Sequence, residues 1–406
     1  MALLPSDVLN LLQKSIDKKI ADNVPQVTPL LTILKRNAGV EILANNTFYV
    51  TEWVGQFSNV GQFATGSQLA GGKADTAQIT VTAKDLYADV QVHEKTVESM
   101  AKVSEGALID FTKGYTDRME IAIGREMNRT FNGNALGKIA RANGSSAGGT
   151  ALTVQALDAD TSDIDPTAYI EVGDYIVIGA ATAVYVTAKS GNVLTISGST
   201  AWDDEAIVYK ASKDGAVAVE MQGIKGLIVN TGTIQNVNIA NYANLQAYVD
   251  TNSQSIGTYG EAPMQKAFLK TVSHRTGKLF GICNITVFNA WASKLTALKQ
   301  TANTAEIIKG GFQLSGDVQM PFLDFMGGQV YMDIDAWTNH FFNLDPKSMT
   351  IGDLGGGVKF SVAPDGKGVW ARVTGYTPQY EATLRFYGEL IMKRPKANSV
   401  CTTLTA

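Results

Sequence analysis

A chain of 406 residues, 45% hydrophobic and 18% charged, is long enough to bury a substantial core and predicts roughly two to three domains. Its formal net charge of −4, with no block of like charges, excludes a nucleic-acid binder held by phosphate neutralisation. Cys283 and Cys401 form no C-x-x-C pair, which excludes a cysteine metal knot and fits a reduced cytoplasm.

The opening residues lack a basic run ahead of an apolar stretch, so no secretion signal is expected. Residues 1–46 read as an arm: Val8, Leu11, Leu12, Ile16 and Ile20 make one amphipathic turn series, and Pro25 and Pro29 stop it. Thr47 to Val54 and Gln78 to Val92 read as strands. In the second, the apolar phase slips between Ala83 and Leu86, as in a strand with a bulge or bend. Gly55, Gly61, Gly66, Gly71 and Gly72 lie between them among small polar residues. The pair predicts a long hairpin, 47–95, with a glycine-rich end. A lone two-stranded ribbon is marginal in water, so something outside the ribbon must order it.

The clearest helix follows, with Ser104 as N-cap, Glu105 in its first turn and Gly133 as its stop. Leu108, Phe111, Tyr115, Met119, Ile123, Met127 and Phe131 recur at steps of three or four. They mark an apolar stripe roughly 35 Å long. Lys113, Asp117, Glu120 and Arg125 occupy the other face, expected in solvent or on a neighbour.

From Arg141 to about Asp214 the composition turns to Gly, Ser, Thr, Ala, Asp and Val. Short alternating runs at Tyr169–Ile178, Ala183–Ala188 and Asn192–Ile196 predict a small all-β module with flexible joins. The longest apolar run, Tyr175 to Val186, is too short to cross a bilayer, so no membrane partner is expected. Beyond Met221, helices are predicted at Asn241–Ser255, Glu261–His274 and Ala290–Gln300, with a short strand at Ile285–Phe288. In Tyr380–Met392 apolar residues fall on even positions, predicting a long strand with one buried and one wet face.

This order of elements resembles the Hong Kong 97-type major capsid proteins of tailed phages, an α+β fold whose parts are named N-arm, E-loop, spine helix, P-domain and A-domain. Local sequence adds to the likeness. The turn Phe131-Asn132-Gly133-Asn134 looks like the one after the spine helix, and Gly223-Ile224-Lys225-Gly226-Leu227-Ile228 looks like the strand that follows it. Gly328 to Asp333, Asn343 to Pro346 and Tyr387 to Met392 look like later strands and loops of that family. The resemblance implies an N-arm at 1–46, an E-loop hairpin at 47–95 and a P-domain with spine helix at 96–140 and 219–240. An inserted small all-β domain at 141–218 departs from the common pattern. The A-domain then covers 241–340, and the remaining A- and P-domain strands with the C-terminus cover 341–406.

What the resemblance implies is self-assembly. Copies of the chain join as hexamers and pentamers into an icosahedral shell that encloses a double-stranded DNA genome. Scaffolding, portal and decoration proteins are its expected partners, and its location is the virion after assembly in the host bacterial cytoplasm. The E-loop residues Trp53, Phe57, Phe63 and Lys73 then touch a neighbouring subunit, and Leu108, Phe111, Tyr115, Met119, Ile123 and Met127 form the spine-helix core. A few such proteins cross-link an E-loop lysine to a P-domain asparagine, for which Lys73 and Asn398 have the right residue types. An encapsulin-like compartment is the alternative within the same fold; a β-rich hydrolase is the alternative outside it.

No enzyme activity, metal or cofactor is expected. Gly144-Ser145-Ser146-Ala147-Gly148 matches the G-x-S-x-G nucleophile pattern, but it lies in a Gly/Ser join where the elbow needs a strand before and a helix after. Asp158, Asp160 and Ser162 begin like a calcium loop, but Asp163 and Tyr169 stand where glycine and glutamate are required. Gly352, Gly355, Gly356 and Gly357 open no helix and precede no lysine-serine pair. Three histidines, His93, His274 and His340, are too few for a histidine-rich metal site.

Overall fold

The computed structural model describes residues 38–43, 46–55, 75–96, 105–157, 165–212, 215–217, 219–252, 254–302, 322–361, 371–372 and 379–405. It also describes Leu30, Leu34, Ser58, Gly61, Gln62, Gly72 and Lys73. The amphipathic stretch Val8–Ile20 and the calcium-like residues 158–162 lie outside these. The fold is mixed α+β and mostly sheet. It divides into two compact units: Met1–Phe131 with Thr233–Asn238 and Met349–Lys393, and Asn132–Gly232 with Ile239–Ser348 and Arg394–Ala406.

In the first unit β1 (Glu41–Leu43), β2 (Thr47–Trp53) and β3 (Thr76–Thr82) form an antiparallel sheet in that order. The register of β2 and β3 runs from Thr47↔Thr82 to Trp53↔Thr76. Period-two alternation buries Phe48, Val50, Ala77, Ile79 and Val81 on one face and leaves Thr51 and Trp53 exposed on the other.

The phase slip at Ala83 has a different cause from the expected bulge. Ala83 donates its N–H to the Asn46 carbonyl (2.9 Å) and ends the hairpin. The chain then changes partner: β4 (Lys84–His93) pairs with the long strand Gln379–Met392, from Gln379↔His93 to Gly388↔Lys84. The hairpin is therefore 47–82 and not 47–95. A new partner on a new sheet sets its own inward face, which is why the pattern restarts.

Helix α1 (Glu105–Asn132) buries Met119, Ile123, Met127 and Phe131. Tyr115, expected in the stripe, is 38% exposed, and Glu120, expected on the wet face, is buried. At 3.6 residues per turn, each step of four advances about 40° around the axis, so a stripe read at that spacing walks off a straight contact face. The buried face takes in the following residues instead, Glu120, Gly124 and Asn128 among them. The side chains of Leu108 and Phe111 lie outside the described residues.

In the second unit six strands close a barrel: β5 (Lys138–Ala142), β6 (Ser146–Gln155), β7 (Tyr175–Ile178), β8 (Val184–Ser190), β9 (Val193–Trp202) and β10 (Ile207–Ala211). Their order is β10-β5-β6-β9-β8-β7, and Leu152, Val154, Ile170, Ile176, Val186, Leu194, Ile196 and Val208 fill the interior. Closure leaves no free sheet edge. The run from Tyr169 becomes a strand only at Tyr175. Before it lies a turn in which the Asp165 carboxylate accepts from the N–H and hydroxyl of Thr167 (2.8 and 2.7 Å). The chain enters and leaves the barrel at one place, because the N–H of Gly137 donates to the Glu220 carboxylate (3.0 Å).

The rest of this unit is a six-stranded mixed sheet of β11 (Tyr248–Asp250), β12 (Phe280–Cys283), β13 (Phe322–Phe325), β14 (Gly328–Met332) and β15 (Phe341–Leu344), with Ser399–Cys401 between β11 and β15. Helices α2 (Ala262–Thr271) and α3 (Ile285–Ala302) accompany it. Trp291 of α3 meets Phe325 and Phe341 edge-on, with ring centroids 5.0 and 6.1 Å away. This geometry suits the ring quadrupoles and pins helix to sheet.

Three expectations fail here. Ile285–Phe288 is the first turn of α3 and not a strand, because Asn284 caps it: Val287 N–H donates to its side-chain oxygen (3.1 Å). Asn241–Ser255 holds 3-10 turns at Ile239–Asn241 and Ala243–Leu245 and then β11, not a helix. Gly223–Ile228 contains a single helical turn, Ile224–Leu227, in place of a strand. A Cβ on Gly226 would stand 3.2 Å from the Asn134 backbone, so this turn packs tightly on the one that follows α1.

Back in the first unit, β16 (Met349–Asp353) and β4 both pair antiparallel with β17 (Gln379–Met392), as do the short strands Lys359–Phe360 and Ala371–Arg372. Ala382, Leu384 and Phe386 are buried and alternate with half-exposed residues. From Gly388 to Met392 every residue is buried, so the predicted wet face ends there.

Candidate assembly surfaces

The hairpin has a base that its own unit covers and an outer face that it does not. Phe48 is fully buried, its ring so close to Gly352 that a Cβ there would meet it at 2.8 Å. Asn236 donates to the Thr80 carbonyl (3.3 Å) and fastens β3. Groups outside the ribbon, Gly352 and Asn236 of its own unit, thus order its base. Beyond Trp53 the pairing continues: Val54 and Gly55 N–H both donate to the Asp75 carbonyl (3.0 and 3.2 Å), and Ser58 N–H donates to that of Lys73 (2.9 Å). Lys73 N–H returns a bond to the Ser58 hydroxyl (2.9 Å). Trp53, at the end of β2, is 69% exposed. Phe57 and Phe63 lie outside the described residues.

A second open face lies on the β4–β17 ladder. Arg385 pairs with Tyr87 on one side and Lys359 on the other. Tyr87 is 64% exposed. Arg385 donates to the Tyr387 hydroxyl (2.7 Å), its guanidinium carbon 4.7 Å from that ring's centroid. Further along, Thr383 donates to Asp89 (3.2 Å) and Gln91 to Glu381 (3.2 Å). Partial burial raises the Asp89 carboxyl above its ordinary value, against the lowering effect of its hydrogen bonds. Tyrosine and arginine beside satisfied polar groups is the composition found at the centre of protein interfaces. Sequence reading missed this face, since its exposure depends on a pairing across about three hundred residues.

Asn398 sits in a different environment. It is fully buried, its carbonyl accepts from Asp345 N–H (2.7 Å) and the Ser348 hydroxyl (3.2 Å), and its amide donates to Ser348 (2.8 Å) and to the Arg394 carbonyl (3.1 Å). Around it Asp345 accepts from Thr276 and Gly277 N–H (2.8 and 3.2 Å), and Arg275 donates to Asn343 and the Leu344 carbonyl (2.6 Å each). A buried network of this kind rigidifies the sheet. Asn398, named with Lys73 for a cross-link, is thus buried and bonded within its own chain.

The remaining candidates resolve into structure. Ser146 opens strand β6, with no helix after it, and Trp202 donates to the Gly144 carbonyl (3.0 Å). Asp353 occupies the glycine turn, accepting from Gly355 and Gly356 N–H (2.8 and 3.0 Å), so a carboxylate already fills what an anion would take. His93 accepts from Lys95 N–H (3.2 Å), and His340 stacks on Phe342 with centroids 5.8 Å apart. Burial and the neighbouring positive Lys396 lower the pKa of His274. Among the described residues no group of three or more His, Cys, Asp or Glu stands ready to hold a metal, and no helix is long and apolar enough to cross a membrane.

Hairpin, long helix, long sheet and mixed sheet together make a phage major capsid protein fold. The chain is similar over 94% of its length to 94% of a chain from the cyanophage A-1(L) capsid asymmetric unit, with a TM-score of 0.53 and 12% identity. That similarity shows a common fold. Weaker likenesses join it to a capsid chain of an empty GTA particle (TM-score 0.49, 9% identity, 94% of this chain and 90% of that one) and to a virus-like particle of Pyrococcus furiosus (0.43, 9%, 96% and 99%). No family model matches the chain, and no curated protein matches it in sequence.

Proposed function

We propose that this chain is the major capsid protein of a tailed phage, a subunit whose copies close into an icosahedral head around double-stranded DNA. The observation that carries this reading is the shared fold with the cyanophage capsid chain over nearly the whole of both. The open faces on the hairpin and on the β4–β17 ladder support it. In this reading β2–β3 is the E-loop, α1 the spine helix, the β4–β16–β17 sheet the P-domain, the mixed sheet the A-domain, and the β5–β10 barrel an inserted domain. Residues 1–46 are the N-arm. The chain acts by contact area and has no reaction to catalyse.

Repeated contacts around symmetry axes build a closed shell from one kind of subunit. Each contact is modest, since standard interfaces bury on the order of 1,600 Å² and every copy makes several. Trp53 and Lys73 contribute from the hairpin. Scaffolding, portal and decoration proteins are the partners such a shell takes.

Electron microscopy of the purified chain tests the reading. Closed particles or hexameric and pentameric capsomers are expected, and a chain that stays monomeric or dimeric at high concentration contradicts it. Particles isolated from the native host should protect genomic DNA from nuclease; enzyme cargo in its place would identify an encapsulin-like compartment. Replacing 56–74 by a short turn should leave the subunit folded and abolish stable particles.

A further inference from the structure

The barrel bears on the mixed-sheet part of its unit at a defined point. Its turn 165–170 is held to the barrel by Lys189, whose ammonium donates to the carbonyls of Thr167 (2.7 Å) and Ile170 (3.0 Å). Ile170 is fully buried in the barrel core. The turn is therefore a rigid outgrowth of the barrel, and it carries Tyr169.

The Tyr169 hydroxyl donates to the carboxylate of Asp335, in the loop that follows β14. That loop is itself braced. Asp335 N–H donates to one carboxylate oxygen of Asp333 (2.9 Å), and Ala336 N–H to the Asp333 carbonyl (3.3 Å). The other Asp333 oxygen accepts from the amide of Asn132 (3.0 Å), the last residue of α1. Asp333 is buried, and its N–H donates to the Cys283 carbonyl at the end of β12 (3.0 Å).

A continuous chain of bonds thus runs from the barrel strand β8 through Lys189, the turn, Tyr169, Asp335 and Asp333 to Asn132. Among the described residues, the barrel is joined to the rest of its unit through the strand ends near Gly137 and Ala211. Gly137 has a φ of 67° and Gly215 a φ of 91°, left-handed conformations that glycine takes most easily. Two glycine-bearing joins would let a barrel swing unless a further contact held it.

We propose that Tyr169 and Asp335 form a latch that fixes the barrel to the loop after β14, so that barrel and mixed sheet move as one body. A hydrogen bond to a charged acceptor is among the stronger kinds, and a partly buried one is not screened away. The latch holds within one chain and does not depend on the proposed shell function.

Hydrogen exchange on the full-length chain tests it. Tyr169→Phe removes one oxygen and keeps the ring, so the barrel still folds. It should speed exchange of the Ala168, Ile170, Asp335 and Ala336 amides about tenfold, while Gly173 and Val186, bonded inside the barrel, keep their rates. Asp335→Ala should give the same pattern, and the double variant should exchange no faster than either single one. The proposal is overturned if Tyr169→Phe leaves Asp335 and Ala336 unchanged. It is equally overturned if Gly173 and Val186 accelerate as much as the turn, since Tyr169 would then be a barrel-core residue.

Discussion

Cys283 and Cys401 flank Phe341 on adjacent strands of the mixed sheet, each paired with it in register. Both are buried free thiols. Burial, with the charge of Asp333 adding to it, pushes the Cys283 thiol far up, and burial with Asp250 pushes Cys401 up to about 12 against the opposing pull of Lys266. Only thiolate attacks a disulfide reagent. The native protein should therefore release no colour with an aromatic disulfide at neutral pH and two equivalents after denaturation; labelling of either cysteine in the native state would show the sheet opening. Asp250 behaves in the opposite sense. Burial raises its carboxyl, but bonds from Asn252 and from Lys266 (3.3 Å) outweigh this, and its pKa is lowered. A folded value below the unfolded one stabilises above the unfolded pKa and stops doing so as pH falls through the folded one. Asp250→Asn should lower the melting temperature by about 2–4 °C at neutral pH, and the gap should close below the usual carboxylate range.

Elements follow from pattern where pattern is local. The alternation in Asn192–Ile196 and the turn at Gly191 sufficed to find β9, and the spacing of Met119, Ile123 and Met127 to find α1. Ile285, Thr286 and Val287 misled because branched residues favour strands, while the side chain of Asn284, which decides the matter, lies just outside the run. Gln78–Val92 misled because a change of partner and a bulge leave the same mark on one strand. Neither the Tyr87–Arg385 face nor the Tyr169–Asp335 contact is legible from sequence, because each joins residues far apart in the chain. Close packing at Gly352 carries a prediction at this scale. A larger residue there has to displace the Phe48 ring and the Ile391 methyl group, each 2.8 Å from where its Cβ would stand. Gly352→Val should destabilise the chain by about 1–3 kcal/mol in chemical denaturation. Combined with Phe48→Leu it should cost less than the sum of the two, since both changes act on one contact; simple additivity would mean that hairpin and β16 are not packed as described.

At the scale of the whole molecule, one chain holds a body that is satisfied by its own contacts and surfaces that are not. The sheets, the barrel and the buried network around Asn398 belong to the first kind. Trp53 at 69% exposure and Tyr87 at 64% belong to the second. Large aromatic residues left in water favour burial against a partner, with about 25 cal/mol gained per Å² of apolar surface removed from water. In the proposed function a shell of identical copies supplies that partner. Hydroxyl-radical footprinting, read by mass spectrometry on the dilute chain and on assembled particles, measures this directly. Oxidation of Trp53 and Tyr87 should fall several-fold on assembly while that of buried Trp291 stays low in both states. Equal oxidation of Trp53 in particle and free chain would contradict the account.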